Sequence, residues 1–369
     1  MRIPRALVAS AILAGLSASS WAGVIRDDRS DSVYTGMAQN PAFAASGRLV
    51  ISGTGTGSAT LIAPDWILTA GHCAITEHGP NTSQTFVIST PNGLVSHPIR
   101  VEEVYVHSGW ITGGFSLQSG YDLALMKLQT PVVGVKPAVL ETSANSIGKV
   151  FTTVGFGTTG TGRTGSTGAV GTLRAGQNVF DATQASIRLG SVSRLDVGSP
   201  RTRLYDVDSP RGDRSTLGAP TARHLEYTAA PGDSGGAAFV QSGSSFRIAG
   251  VVSGGIRPLA LLDGHYGTTG IYIRVSQHAS WIESTLRGGG EPLPSMLRRL
   301  EIEGGGMAAR VRERSVRLAA AGWTEARYIA PLVIEADSQH PHFPVVFQHN
   351  HGLSPEAAAV FGAFDPEVR

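Results

Sequence analysis

The sequence predicts an all-β protein built from more than one folding unit. Three observations carry this. Glycine is abundant, at 47 of 369 residues, while charged residues make up only 16%. Short strand-like runs recur with turn signals between them, the spacing of a β-barrel or sandwich. The length exceeds what one hydrophobic core usually serves.

The chain opens with Arg2 and Arg5, a short apolar run from Ala6 to Leu16, and small residues at Ser20 and Ala22. That order of features is expected of a secretory signal peptide over residues 1–22. The run is too short to cross a bilayer, which takes about 20 apolar residues. Removing it takes away two arginines and no acid, so the formal charge of +2 falls to zero. Nothing in that balance favours nucleic acid or anionic lipid as a partner. Cys73 is the sole cysteine, so no intramolecular disulfide can form.

Along the chain, residues 48–62 read as extended, followed by a turn at Ala63-Pro64-Asp65 and a buried strand at Trp66–Thr69. Further strands are expected at 85–90, 99–106, 123–128, 149–156, 177–181, 185–190, 236–241, 246–252 and 271–275. The Gly- and Thr-rich stretch 157–176 reads as a surface loop, and residues 196–220 as irregular. Ser276 is placed to cap a helix with Ala279, Ile282 and Leu286 on one face, ending at Gly288-Gly289-Gly290. A tail follows, helical in character over 296–330 and extended over 331–350. It carries His340, His342, His349 and His351 in two His-X-His pairs, which offer imidazoles to a divalent metal; the plainer reading is a solvated segment, because no acid or cysteine completes a metal-ligand spacing.

Three segments carry chemistry: Leu68-Thr69-Ala70-Gly71-His72-Cys73, Tyr121-Asp122-Leu123-Ala124-Leu125, and Pro231-Gly232-Asp233-Ser234-Gly235-Gly236. A serine hydroxyl becomes nucleophilic when an imidazole takes its proton. The imidazole needs a carboxylate to hold its tautomer, and glycines beside the serine let backbone amides face a developing oxyanion. In the order His…Asp…Ser, these blocks resemble the trypsin family of serine proteases. The resemblance runs from about Val24 to Leu286 and includes Gly155-Phe156-Gly157, Val252-Ser253-Gly254-Gly255 and Gly270-Ile271-Tyr272.

The resemblance implies two antiparallel six-stranded β-barrels, a C-terminal helix and an extra tail. The first barrel would span residues 23–140 and the second, with its helix, 141–287, leaving 288–369 as tail. It implies His72 as general base, Asp122 as its orienting partner and Ser234 as nucleophile, with the Gly232 and Ser234 amides as oxyanion hole and no cofactor. Thr228, Ser253, Gly255 and Gly270 fall at the substrate pocket. Threonine at 228 replaces the charge that would select Arg or Lys, so an uncharged residue is expected before the scissile bond, with Glu226 near enough to alter the charge. Gly57 stands where the usual partner of Cys73 would be, and Gly71 replaces an alanine. The implied partner of a freed N-terminus is Asp233, with the Val24-Ile25 segment as donor. The expected function is therefore a secreted serine endopeptidase acting on polypeptides. The alternatives are a catalytically silent binding module of the same fold, or an envelope quality-control protease whose tail binds clients.

Overall fold

The computed structural model describes residues 23–51, 55–77, 79–81, 83–188, 194–258, 261–302, 331–334 and 345–349. The apolar run at the start of the chain and His340, His342 and His351 lie outside the described residues.

Six strands form a closed barrel: β1 (Ser46–Ile51), β2 (Gly55–Ala63), β3 (Trp66–Thr69), β4 (Gln84–Thr90), β5 (Gly93–Val106) and β6 (Ala124–Leu128). Their order is β1-β2-β3-β6-β5-β4, and β1 pairs β4 to close the ring. Closure leaves no unpaired edge. The stretch expected as one extended run over 48–62 is thus two antiparallel strands, with Ile51 opposite Gly55. Leu49, Leu61, Ile67, Phe86, Leu125 and Leu128 are fully buried within it.

A second set of six follows: β7 (Val150–Gly155), β8 (Arg174–Val179), β9 (Thr202–Asp206), β10 (Ala237–Ser242), β11 (Ser245–Pro258) and β12 (Thr269–Arg274). Their order is β8-β7-β10-β11-β12-β9. This sheet curls without a closing ladder among the described residues. Side chains join its ends instead, since Asn178 Nδ2 on β8 donates to the Asp206 carbonyl on β9 at 2.7 Å. Phe151, Phe180, Tyr205 and Tyr272 stack inside it, with ring centroids 4.3 to 5.8 Å apart. Such aromatic pairs contribute beyond their buried area, about 0.5–1.5 kcal/mol each.

Four further features differ from the sequence reading. The stretch 196–220 contains β9, and Arg194–Gly198 is also a strand, paired with Gln184–Arg188. Arg203 disguises β9: it is buried and donates to Ser146 Oγ at 2.6 Å and the Ala144 carbonyl at 3.1 Å. Within 157–176, Thr159–Thr161 pairs with both Gly23–Ile25 and Gly165–Ser166, and β8 begins at Arg174. Helix Ala279–Leu286 forms where expected, but its N-cap is His278, while Ser276 Oγ accepts from Arg274 Nε at 2.9 Å. A helix at Asp31–Ala38, capped by the Ser30 hydroxyl, was not anticipated. Beyond it, Leu293–Ile302 is helical, and the tail strands β13 (Pro331–Ile334) and β14 (Val345–His349) form an antiparallel pair.

Where β8 and β9 meet, Glu226 is buried. It accepts from Asn178 Nδ2 at 2.8 Å and from the Asp208 and Arg223 amides at 3.2 and 2.6 Å. Burial outweighs these donors, and with the charges of Asp208 and Asp206 it pushes the Glu226 pKa up to about 8. The folded protein therefore binds this proton more tightly than the unfolded chain. That stability is present below the unfolded value of about 4.3 and is lost as pH rises through the folded one. The denaturant midpoint should fall between about pH 5 and about pH 8, and Glu226→Gln should flatten the decline. A decline of the same steepness in the variant would contradict this placement of the proton.

Candidate active site

His72 sits in the short helix Gly71–Ala74, immediately after β3, and Asp122 immediately precedes β6. Because β3 and β6 are paired, with Thr69 opposite Ala124, the two residues lie at the same end of the barrel. Both are fully buried. Asp122 Oδ1 accepts the backbone amide of His72 at 2.7 Å, and Oδ2 contacts His72 Nδ1 at 2.7 Å. A carboxylate can only accept there, so Nδ1 carries the proton. Ser253, on β11, donates its hydroxyl to the same Oδ2 at 2.6 Å. Burial alone would favour neutral imidazole; the Asp122 charge, with Cys73 behind it, overcomes this and raises the His72 pKa from 6.5 to about 10. Gly71 has a steric reason: a Cβ there would lie 3.0 Å from the Leu123 amide and 3.1 Å from Asp122 Oδ1.

Ser234 lies between β9 and β10 in a tight loop, and it is buried. Its carbonyl accepts the Ser58 amide of β2 at 2.7 Å and lies 3.7 Å from Cys73 Sγ, one residue from His72. The second sheet's loop is therefore tied to the first barrel beside the imidazole. Ser58, which sequence reasoning missed, strengthens the tie: its hydroxyl donates to the Gly232 carbonyl at 3.0 Å and accepts the Phe156 amide at 3.2 Å. The only sequence signal is a serine set between the small residues Gly57 and Ala59 in a strand-like run. Gly232 and Gly235 have φ of +99° and +83°, in the left-handed region that glycine adopts freely. A Cβ at Gly235 would fall 2.0 Å from Thr69 Oγ1.

Asp233 is buried and held by three donors: the Gly157 and Ala230 amides at 2.8 and 2.9 Å and the Tyr227 hydroxyl at 3.2 Å. Burial dominates over these and over Arg174, and raises its pKa to about 6. Gly155 and Gly157 are needed here, because a Cβ at either would strike this carboxylate, at 2.0 and 2.6 Å. The strand Gly23–Ile25 runs past the same place, with Val24 opposite Thr228 and Ile25 opposite Tyr227.

A cavity opens beside this loop, lined by Thr228, Gly255 and Gly270 together with Gly254, Arg257 and Asp263. Thr228 Oγ1 is hydrogen-bonded to the Tyr205 hydroxyl at 2.9 Å. Ser253 is not among the lining residues; its hydroxyl is turned to Asp122. Glu226 is not among them either, its oxygens being directed to Asn178, Asp208 and Arg223. The charges that do line the cavity are Arg257 and Asp263, ion-paired at 2.7 Å, which the sequence offered no means of pairing.

Comparison with known proteins finds similarities of two kinds. Residues 35–191 match the model of the trypsin family, a span that holds His72 and Asp122 and stops before Ser234. Serine protease SSP1 of Scolopendra subspinipes is 27% identical over 242 residues, covering 62% of this chain and 72% of that protein.

Gly57 offers a direct test of the packing around His72. A Cβ at this position would lie 3.2 Å from Cys73 Sγ, within bridging range. Gly57→Cys should therefore oxidise to a disulfide with Cys73, leaving no titratable thiol in the denatured protein. Closing a loop of about 15 residues should add about 3 kcal/mol of stability. Two free thiols after oxidation would show that the strands are not so juxtaposed.

Proposed function

As the chain belongs to the trypsin-like serine proteases, we propose that it is a secreted endopeptidase that hydrolyses peptide bonds through an acyl-enzyme on Ser234. The single observation that carries this reading is the buried Asp122–His72 contact at 2.7 Å beside the Ser234 loop. In the proposed reaction, Ser234 Oγ attacks the scissile carbonyl while His72 Nε2 takes its proton. The carbonyl oxygen becomes an oxyanion facing the Gly232 and Ser234 amides. The proton on His72 then passes to the leaving amine, the C–N bond breaks, and water attacks the acyl-enzyme by the same route. Asp122 holds Nδ1–H throughout and stabilises the imidazolium. No cofactor is called for.

Substrate would enter through the cavity at Thr228, Gly255 and Gly270. Its wall charges, Arg257 and Asp263, satisfy each other, so we propose an uncharged residue before the scissile bond. In this reading residues 1–22 direct export, barrels of residues 23–140 and 141–287 form the catalytic unit, and 288–369 is a tail added to it. Removal of the leader would free an amine near Gly23 or Val24. The contact of this segment with Tyr227, which bonds Asp233, supports Asp233 as the partner of that amine. N-terminal sequencing of active enzyme should give a start at residues 23–25; full activity from a start well downstream would refute the assignment.

The catalytic reading has its own test. An organophosphonate should label the purified protein once, at Ser234, and Ser234→Ala should abolish both label and peptide hydrolysis. Asp122→Asn should lower kcat by about 10⁴-fold, as loss of the orienting carboxylate does in this chemistry. Only neutral His72 accepts a proton, and the carboxylate raises its pKa, so the acid limb of kcat/KM should lie above the free-histidine value of about 6.5 and move down in Asp122→Asn. Unlabelled protein would favour the silent binding module, and an acid limb unmoved by Asp122→Asn would contradict the role given to Asp122.

A further inference from the structure

β10 runs beside β11 only as far as Val251, and beyond that point β12 covers one edge of β11. The other edge, from Gly254 to Pro258, is taken by the tail. β14 pairs with it antiparallel and in continuous register: His349 opposite Gly254, Gln348 opposite Gly255, Phe347 opposite Ile256, Val346 opposite Arg257 and Val345 opposite Pro258. β13 backs β14 from the outside, making a two-stranded extension of the sheet.

The position of this edge gives the pairing its meaning. Gly254 follows Ser253, whose hydroxyl binds Asp122. Gly254, Gly255, Ile256 and Arg257 all line the cavity beside the Ser234 loop, and all four are paired with β14. Because the pairing is antiparallel, β14 runs from Pro258 toward Gly254, so its C-terminal end points at the catalytic residues. An extended polypeptide added to this edge would use the same backbone donors and acceptors. A strand tethered to the same chain competes as an intramolecular ligand, without the cost of a bimolecular encounter.

We propose that the C-terminal segment Val345–His349 is a built-in competitor that occupies the substrate edge of β11, and that the full-length chain is restrained until this strand is displaced or removed. The proposal rests on the proteolytic reading above and gives the tail a role that reading leaves open. The partner of the edge is thus a named segment of this same chain. An incoming substrate must exceed it in affinity or follow its removal.

The test uses the full-length chain. Successive amides of a strand point to opposite sides, so Phe347→Pro with Gln348→Pro removes one that faces β11, whichever it is. In the Ser234→Ala background, which prevents self-cleavage, hydrogen exchange at the Gly254–Arg257 amides should be slow and should accelerate in the double-proline variant. With Ser234 intact, that variant should lower KM for a short peptide substrate about tenfold, with kcat and the phosphonate titre unchanged. Equal exchange in both chains would overturn the docking, and faster exchange with an unchanged KM would overturn the competition. Absence of phosphonate label from both chains would instead sink the proteolytic reading, while exchange would still decide whether the strand docks.

Discussion

The arrangement depends on one buried carboxylate. A charge taken out of water is costly unless its oxygens are satisfied by good donors. Asp122 meets that condition with three: the His72 amide, His72 Nδ1 and the Ser253 hydroxyl. Two come from the turn after β3 and one from β11, so the groups that satisfy the charge also join the two halves of the molecule. The imidazole is oriented as a consequence of that satisfaction.

The same economy governs the loop that presents Ser234. It has no disulfide to brace it, since Cys73 is free and buried. Rigidity comes instead from short polar ties across the interface. Ser58 engages the Ser234 and Gly232 carbonyls and the Phe156 amide, and Thr69 Oγ1 returns to the Ser58 carbonyl at 2.9 Å. Glycines at 155, 157 and 235 let these backbones approach to distances that a side chain would prevent. Geometry good to a fraction of an ångström needs such support behind the reacting groups.

How much of this was legible in the sequence follows from how local each signal is. The His72, Asp122 and Ser234 blocks are contiguous and carry their own glycines, so they could be read directly, as could most strands of the first barrel. Thr228, Gly255 and Gly270 likewise fall around one cavity. What escaped was set by distant partners. Ser58 is an ordinary small residue until the Ser234 loop arrives, 174 residues away from it at Gly232. β9 carries Arg203 inward, contrary to any apolar pattern, because Ser146 and Ala144 receive its guanidinium. Thr159–Thr161 is extended because Gly23–Ile25 lies beside it, not because its composition favours a strand. Ser253 looked like a wall of the pocket, and only the packing of β11 against the Asp122 turn shows its hydroxyl bound to the carboxylate.

The central claim is that Asp122 holds the proton of His72 on Nδ1. Nitrogen-resolved NMR of the His72 imidazole in the folded chain measures this directly. The account predicts an Nδ1-bound proton, strongly deshielded by the carboxylate, that persists through the histidine titration and loses its deshielding in Asp122→Asn. A neutral ring protonated at Nε2, or an Nδ1 proton indifferent to that substitution, would contradict it.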